Sequence, residues 1–195
     1  MPRKVWTSRR KWMGNLLPAI FFLPLVAWGV VWMYQHDSIL GLGLWLVIGG
    51  TAVGWLALNL FGLLGNAFMR REIKRNLTAR GINFNAPNFF VGFARPRFFS
   101  ILDAHEDLGY LFLRDEEIEF VGEDHRISLP RNQIQGIRFR PNVHTWVGIG
   151  RWISIEGKVK NLPVRLNIEP RERNYLLLNL LDGNRVKATL ESWRK

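Results

Sequence analysis

The chain has 195 residues, 48% of them hydrophobic, and a formal net charge of +11 at pH 7. This length leaves room for one small domain beside a membrane part, and the lack of cysteine excludes disulfides and thiolate metal or redox sites. The basic surplus flanks two apolar stretches and is not spread over one surface, so nucleic acid is not indicated as a partner.

The N-terminal region is interpreted as a basic arm followed by a first membrane span. Residues 1–12 carry five basic residues and no acidic one, and residues 13–34 are mainly apolar. A signal peptide is the alternative, but the apolar run is long for a signal, and a second one follows within a few residues. Pro24 predicts a kink near the middle of the helix, because proline removes a backbone donor and clashes with the preceding turn.

The second apolar stretch, residues 38–69, contains no charged residue and predicts a second transmembrane helix. Because the connection between the spans is short, the two helices are expected to form an antiparallel hairpin. The positive-inside rule then places both basic flanks in the cytoplasm and the turn around Asp37 outside. The sequence therefore predicts a bacterial inner-membrane protein with cytoplasmic N- and C-termini.

Small residues recur on one face of the second span. They are Gly43, Gly50, Gly54 and Ala57. A Gly-x-x-x-Gly pair lets another helix approach closely, which favours a packing seam. That seam could join the first span, a partner protein or a second copy of the chain through Gly50 and Gly54. The alternative is that glycine is simply common in membrane helices.

Residues 70–99 are interpreted as a basic helical neck followed by an aromatic-rich linker. The neck residues expected to meet anionic headgroups or an acidic partner are Arg70, Arg71, Lys74 and Arg75. The linker breaks regular structure with several Asn and Pro residues, yet it is too rich in phenylalanine for a solvated tether. Its rings are predicted to lie at the bilayer or a partner interface, and packing on the chain's own domain is the alternative. These aromatics include Phe84, Phe89, Phe90 and Phe93.

Residues 100–195 show the alternation of apolar and polar residues that predicts successive antiparallel strands. One strand is predicted over Val147–Ile155, with a turn at residues 156–158. The clearest strand follows residue 161, and Glu169 with Pro170 is predicted to open a C-terminal helix that Gly183 can end. The pattern indicates a small, mainly β domain, a barrel or sandwich capped by that helix.

Three runs in this region carry a family resemblance: residues 109–115, Ile118-Glu119-Phe120 and residues 127–134. They resemble the opening strands of pleckstrin-homology-like (PH-like) and GRAM-like domains, over roughly residues 100–183. The resemblance implies seven strands in two nearly orthogonal sheets with a capping helix, and bacterial proteins of this kind are often tethered to membrane hairpins. Lipid-binding eukaryotic members place basic residues around the first hairpin, whereas this chain has acidic residues at 115–117. This departure does not favour inositide binding.

The sequence contains no recognisable catalytic, metal-binding or nucleotide-binding motif. The four histidines lie in separate segments without metal-ligand spacing, and Gly148-x-Gly150 lacks the rest of a dinucleotide motif. The segment from His105 to Asp107 is interpreted as a solvated acidic turn. The sequence therefore predicts a protein that is not an enzyme and that uses no cofactor or metal.

The function expected from these features is that of a membrane-anchored scaffold. It would be an accessory subunit that stabilises a larger inner-membrane complex of respiratory, photosynthetic or secretion type. Its partners would be other membrane-protein subunits and the anionic bilayer. The alternative is a cytoplasmic-face sensor that binds anionic lipid or a small ligand through the PH-like domain. The domain residues expected to contact such a ligand or partner are Arg138, Arg140 and Arg151.

Overall fold

A computed structural model describes residues 4–96, 105–159 and 162–195. The chain divides into two compact units. The helical unit is Thr7–Leu64, and the sheet unit combines Met1–Trp6 with Gly65–Lys195. The N-terminal arm therefore belongs to the same unit as the C-terminal domain, although the helical unit separates them in sequence.

The helical unit consists of α1 (Ser8–Gln35) and α2 (Leu42–Phe61). α1 and the helix that starts at Leu42 are both long and apolar enough to cross a membrane. The predicted continuous span over residues 38–69 is interrupted, because the helical backbone of α2 ends at Phe61 and a turn follows. Gly65 closes that turn with a φ of +75°, a left-handed conformation that glycine adopts without strain.

The small residues of α2 face α1. Gly43, Gly50, Gly54 and Ala57 are all buried within the helical unit. A Cβ atom added at Gly43 would lie 2.8 Å from the Gly29 carbonyl oxygen, and one at Gly50 would lie 2.8 Å from Leu25 Cβ. Any larger residue at these positions would therefore push the two helices apart. Of the interpretations left open by the sequence, packing against the first span is the one that this geometry supports.

Within its described residues, the sheet unit contains one antiparallel seven-stranded sheet in the order β4-β3-β2-β1-β7-β6-β5. Its helices are α3 (Asn66–Ala79), the single-turn α4 (Val143–Trp146) and α5 (Leu176–Arg194). The strands are β1 (Asn88–Ala94), β2 (Asp107–Leu113), β3 (Glu117–Gly122), β4 (Arg126–Pro130), β5 (Ile134–Arg140), β6 (Trp152–Val159) and β7 (Leu162–Pro170).

Two apolar clusters hold the sheet between helices. The larger one joins inward residues of the strands with Val186 and Leu190 of α5, so the C-terminal helix caps this side of the sheet. The smaller one joins Met69, Ile73 and Leu77 of α3 with outward residues of β1, β2 and β3. Residues that alternate along a strand point to opposite faces, which is why the short central strands β1 and β2 serve both clusters and are almost fully buried.

Several boundaries differ from those expected. The segment interpreted as a linker contains β1, which pairs with both β2 and β7 at the centre of the sheet. β6 runs through the turn predicted at residues 156–158, and β7 runs through Glu169 to Pro170, where a helix was expected. α5 begins only at Leu176 and continues past Gly183. Arg3 of the basic arm and the linker residues Phe98 and Phe99 lie outside the described residues.

Candidate functional site

A cluster of buried polar side chains forms where β7, α4 and the segment before β2 meet. Leu166 and Ile168 of β7 point into the apolar core, so Glu169 points to the opposite face of the sheet. α4 supplies His144, and the residues leading into β2 supply His105. The cluster is therefore built from segments that are far apart in sequence.

Glu169 is the centre of this cluster and is only 4% exposed. Its Oε2 atom accepts hydrogen bonds from Asn142 Nδ2 at 3.1 Å and from His144 Nδ1 at 2.9 Å. His105 Nε2 lies 3.0 Å from the same oxygen. Gly150 makes this approach possible, because a Cβ atom at that position would overlap Glu169 Oε1 and crowd His144.

His105 lies between Glu169 and a buried arginine, Arg171. Arg171 NH1 is 3.4 Å from His105 Nδ1, and Arg171 Nε donates to Asn66 Oδ1 at 3.1 Å. A buried charge needs a counter-charge, and Glu169 provides one across the imidazole. The glycine at position 92 gives His105 its space, because a Cβ atom there would overlap the ring.

The electrostatics of the cluster keep His105 neutral and Glu169 ionised at neutral pH. Burial, with the nearby Arg171 charge, lowers the pKa of His105 to about 4. Burial alone would raise the pKa of Glu169, but His144 and His105 outweigh it and hold that pKa below its usual value. Burial lowers the pKa of Arg171 to about 10, which leaves the guanidinium charged at pH 7.

The N-terminal arm is fixed beside this cluster. The backbone N–H groups of Val5 and Trp6 donate to the two carboxylate oxygens of Glu123, at 2.7 and 2.5 Å. Trp6 Nε1 donates to the His105 carbonyl oxygen at 3.1 Å, and the Arg171 guanidinium lies 5.0 Å from the Trp6 ring. Lys4 forms an ion pair with Asp124. We call these contacts of residues 4–6 the arm clamp.

The segment that the sequence suggested to be a solvated acidic turn is buried and structural. Asp107 is fully buried, and its carboxylate accepts hydrogen bonds from the backbone N–H groups of Asp124 and His125, at 3.0 and 2.9 Å. Glu106 forms an ion pair with Arg95, and this guanidinium holds the pKa of Glu106 below its usual value. Asp107 shapes the turn that carries Glu123, so it supports the arm clamp.

The basic neck residues lie on α3 and are partly engaged within the sheet unit. Arg70 NH1 contacts Glu172 Oε2 at 2.7 Å, and Arg75 NH2 contacts Glu72 Oε2 at 2.5 Å. Lys74 Nζ lies 5.1 Å from the Phe84 ring, and Arg71 Nε donates to the Ala67 carbonyl in an exposed position. The prediction that these residues contact headgroups or an acidic partner stays a prediction.

The arginines predicted on the domain do not form one set. Arg138 and Arg140 both contact Glu156, and Arg165 Nε lies 3.2 Å from the same carboxylate. Hydrogen bonds from Arg138 and Arg140 lower the pKa of Glu156 to about 2. Arg151 is separate from this group, since it packs over the Phe139 ring and donates to Asn184 Oδ1.

The linker phenylalanines pack within their own domain. Phe90 and Phe93 are fully buried, one in each apolar cluster. Phe84 and Phe89 are partly buried against the same clusters. The alternative interpretation given for these rings is therefore the one that the structure shows.

The buried cluster could not be predicted from the sequence, because His105 and His144 are 39 positions apart and Glu169 lies on a third segment, β7. The one available signal was Glu169, which continues the polar side of the alternating β7 pattern beyond Asn167, at a place assigned to a helix. Read as part of the strand, it falls on the outer face of the sheet. The arm clamp had no comparable signal.

Comparisons with known proteins add little to this geometry. No family model matches the chain, and no curated protein matches it. Among solved structures, it is similar to the C-terminal domain of an unknown protein from Leishmania infantum, with a TM-score of 0.35 and 16% sequence identity. That similarity covers 63% of this chain and 94% of the other, and it carries no functional argument.

Proposed function

We propose that this chain is a non-enzymatic membrane-anchored scaffold, an accessory subunit that stabilises a larger inner-membrane protein complex. The observation that carries the proposal is the arm clamp. Trp6, directly before the helical unit, and Gly65, directly after it, belong to one folded unit. The chain therefore leaves that unit and returns to it, which is the path of a membrane hairpin and requires an even number of crossings.

The surface of the helical unit supports insertion in lipid. Large apolar side chains are exposed along both helices, among them Trp28 at 61%, Trp45 at 69% and Leu56 at 53%. Apolar patches of this extent are rare on soluble monomers and mark membrane or protein contacts. α2 has 20 residues, about 30 Å of helix, which matches the hydrocarbon thickness of a bilayer.

The two helices form a preassembled pair, because the glycines of α2 are used against α1. Their outer faces are then available to lipid and to other membrane subunits. The PH-like assignment of the sheet unit is part of the proposal, and the strand order and the capping helix α5 support it. Such a domain would give the complex a binding surface on the cytoplasmic side.

The hairpin topology can be tested cleanly because the chain has no native cysteine. Ser38→Cys places a thiol in the connection between α1 and α2, and Asp115→Cys places one in the turn between β2 and β3. In intact cells, a membrane-impermeant maleimide should label Ser38→Cys and should reach Asp115→Cys only after the membrane is opened. Labelling of both, or of Asp115→Cys alone, would contradict the topology.

The scaffold role is tested by purifying the tagged full-length protein from its native membrane in mild detergent and identifying what accompanies it. We expect a fixed stoichiometric set of membrane subunits. A tagged, unrelated two-helix hairpin from the same membranes is the control for non-specific partners. Recovery of the chain alone, as a monomer or self-oligomer, would contradict the scaffold role.

One observation favours the second candidate, a sensor of anionic lipid. Three arginines on the outer face of β5 and β7 share one carboxylate, Glu156, so the group keeps two positive charges in excess. If this face docks on lipid, amide exchange of Ile134–Arg140 should slow in nanodiscs with anionic lipid and not in neutral ones. Glu156→Gln should strengthen that docking. Equal exchange in both nanodiscs would remove this candidate.

A further inference from the structure

We propose that His105, His144 and Glu169 bind a divalent transition-metal ion, with zinc as the best match to the donors. Each residue offers one ligand atom, and the three atoms lie within 4.8 Å of one another. Two imidazole nitrogens and one carboxylate oxygen are ligands that zinc commonly takes, whereas magnesium and calcium prefer oxygen alone. This site is independent of the scaffold role proposed above.

A second observation, independent of how close the three residues lie, also points to a ligand. His105 is 7% exposed, and its Nε2 atom makes no hydrogen bond within the described part of the chain. Glu169 Oε2 lies 3.0 Å away, but the ring N–H is not aligned with it. Leaving a buried polar atom without a partner is unfavourable. Nε2 faces the carboxylate that also binds His144, which is where a shared cation would sit.

Two of the distances between ligand atoms are close to those that an ion requires. Zinc bonds of about 2.0–2.2 Å in tetrahedral geometry place neighbouring ligand atoms about 3.3 Å apart. His105 Nε2 and His144 Nδ1 lie 3.0 and 2.9 Å from Glu169 Oε2. The His144 side chain keeps 17% of its surface exposed, so this ligand of the proposed site contacts solvent.

Arg171 opposes the ion, and it gives the proposal its sharpest test. Its NH1 group faces His105 Nδ1 at 3.4 Å, so the metal-free imidazole is assigned a proton on Nε2. Binding a cation moves the His105 proton from Nε2 to Nδ1, where it meets the guanidinium donor, and it also moves the His144 proton from Nδ1 to Nε2. The guanidinium must then turn away, toward Asn66 and Trp6. Replacing it by an uncharged side chain should therefore tighten metal binding.

The experiment uses the full-length protein in mild detergent, stripped with a chelator and titrated with Co²⁺ and then Zn²⁺. We expect one ion per chain, with the absorption bands of a tetrahedral Co²⁺ site that Zn²⁺ abolishes. His144→Ala should weaken binding more than tenfold, whereas Arg171→Gln should strengthen it. The matched control is His125→Ala, because His125 also pairs with a carboxylate, Asp107 Oδ2 at 3.1 Å, outside this cluster. It should bind as the unaltered protein does.

Two results would overturn the proposal. One is the absence of a stoichiometric Co²⁺ or Zn²⁺ site in the unaltered protein. The other is a site that is insensitive to His144→Ala. If His144→Ala does not fold, Arg171→Gln decides, because unchanged or weaker binding in that variant contradicts the arrangement described. In either case the cluster is a structural ionic network that needs no metal.

Discussion

The arm clamp predicts that Trp6→Ala will destabilise a domain whose strands begin more than 80 residues later in the sequence. Trp6 is 8% exposed, and a buried tryptophan removes about 150–250 Å² from water, worth about 4–6 kcal/mol. Its loss also leaves the His105 carbonyl without the indole donor. If the arm then detaches, it regains about 1–2 kcal/mol of backbone entropy per released residue, which limits the damage. We therefore expect a loss of about 2–3 kcal/mol.

The first assay is urea unfolding of the full-length protein in mild detergent. The second is the amide exchange rate of the Asp107–Leu113 strand. Trp12→Ala is the matched control, because Trp12 is 64% exposed and only six residues further on. The control should change the unfolding free energy by less than about 0.5 kcal/mol. Equal losses in the two variants, or no loss in Trp6→Ala, would refute the claim that the arm is part of the sheet unit.

Three further predictions follow from the packing and the charges. Gly50→Leu should destabilise the α1–α2 pair by about 1–3 kcal/mol through overpacking, whereas Gly49→Leu should not, since a Cβ atom at Gly49 meets no described atom within 4 Å. Thermal unfolding in detergent measures both variants, and similar losses of stability would contradict the packing of α2 against α1 through Gly50. The pKa of His105 is about 4 in the folded state against its ordinary 6.5. The contribution of the neutral ring to folding stability is therefore complete above pH 6.5 and is lost as pH falls toward 4, because the unfolded chain binds a proton there and the folded chain does not. From this group we expect about 2 kcal/mol less stability at pH 5 than at pH 7, measured by urea midpoints. His105→Gln should remove that difference, and a pH dependence of the same size in the variant would contradict its assignment to His105. A fragment of residues 97–195 should fail to fold because it lacks β1, whereas a fragment of residues 65–195 should fold. Circular dichroism measures the folded structure of each, and a folded 97–195 fragment would contradict the central position of β1 in the sheet.

The sequence predicted well those features that repeat along the chain. Charge-free apolar runs predicted both long helices, and alternation predicted the successive antiparallel strands of the C-terminal region. The errors fall where one local signal has two meanings. Pro170 can open a helix or end a strand, and Gly183 can end a helix or lie buried inside one. In each case tertiary packing against the sheet decided the outcome.

The central strand β1 shows a different limit. Its Asn- and Pro-rich approach resembles a linker, and its phenylalanines serve two clusters on opposite faces, so no simple alternation is visible. The cluster of His105, His144 and Glu169 and the arm clamp depend on pairings across 25 to more than 100 residues. Periodicity reports only on neighbours along the chain, and these sites arise from strand pairing that the sequence does not display locally.

The proposal that this chain is a scaffold is tested most directly by native mass spectrometry of the tagged protein, purified in mild detergent from its own membrane. We expect one dominant assembly in which this chain and other membrane subunits occur in fixed integer ratios. We also expect that Gly50→Leu, which separates the helix pair, depletes those subunits, whereas Gly49→Leu retains them. A spectrum that contains only this chain, as a monomer or a self-oligomer, would contradict the scaffold function.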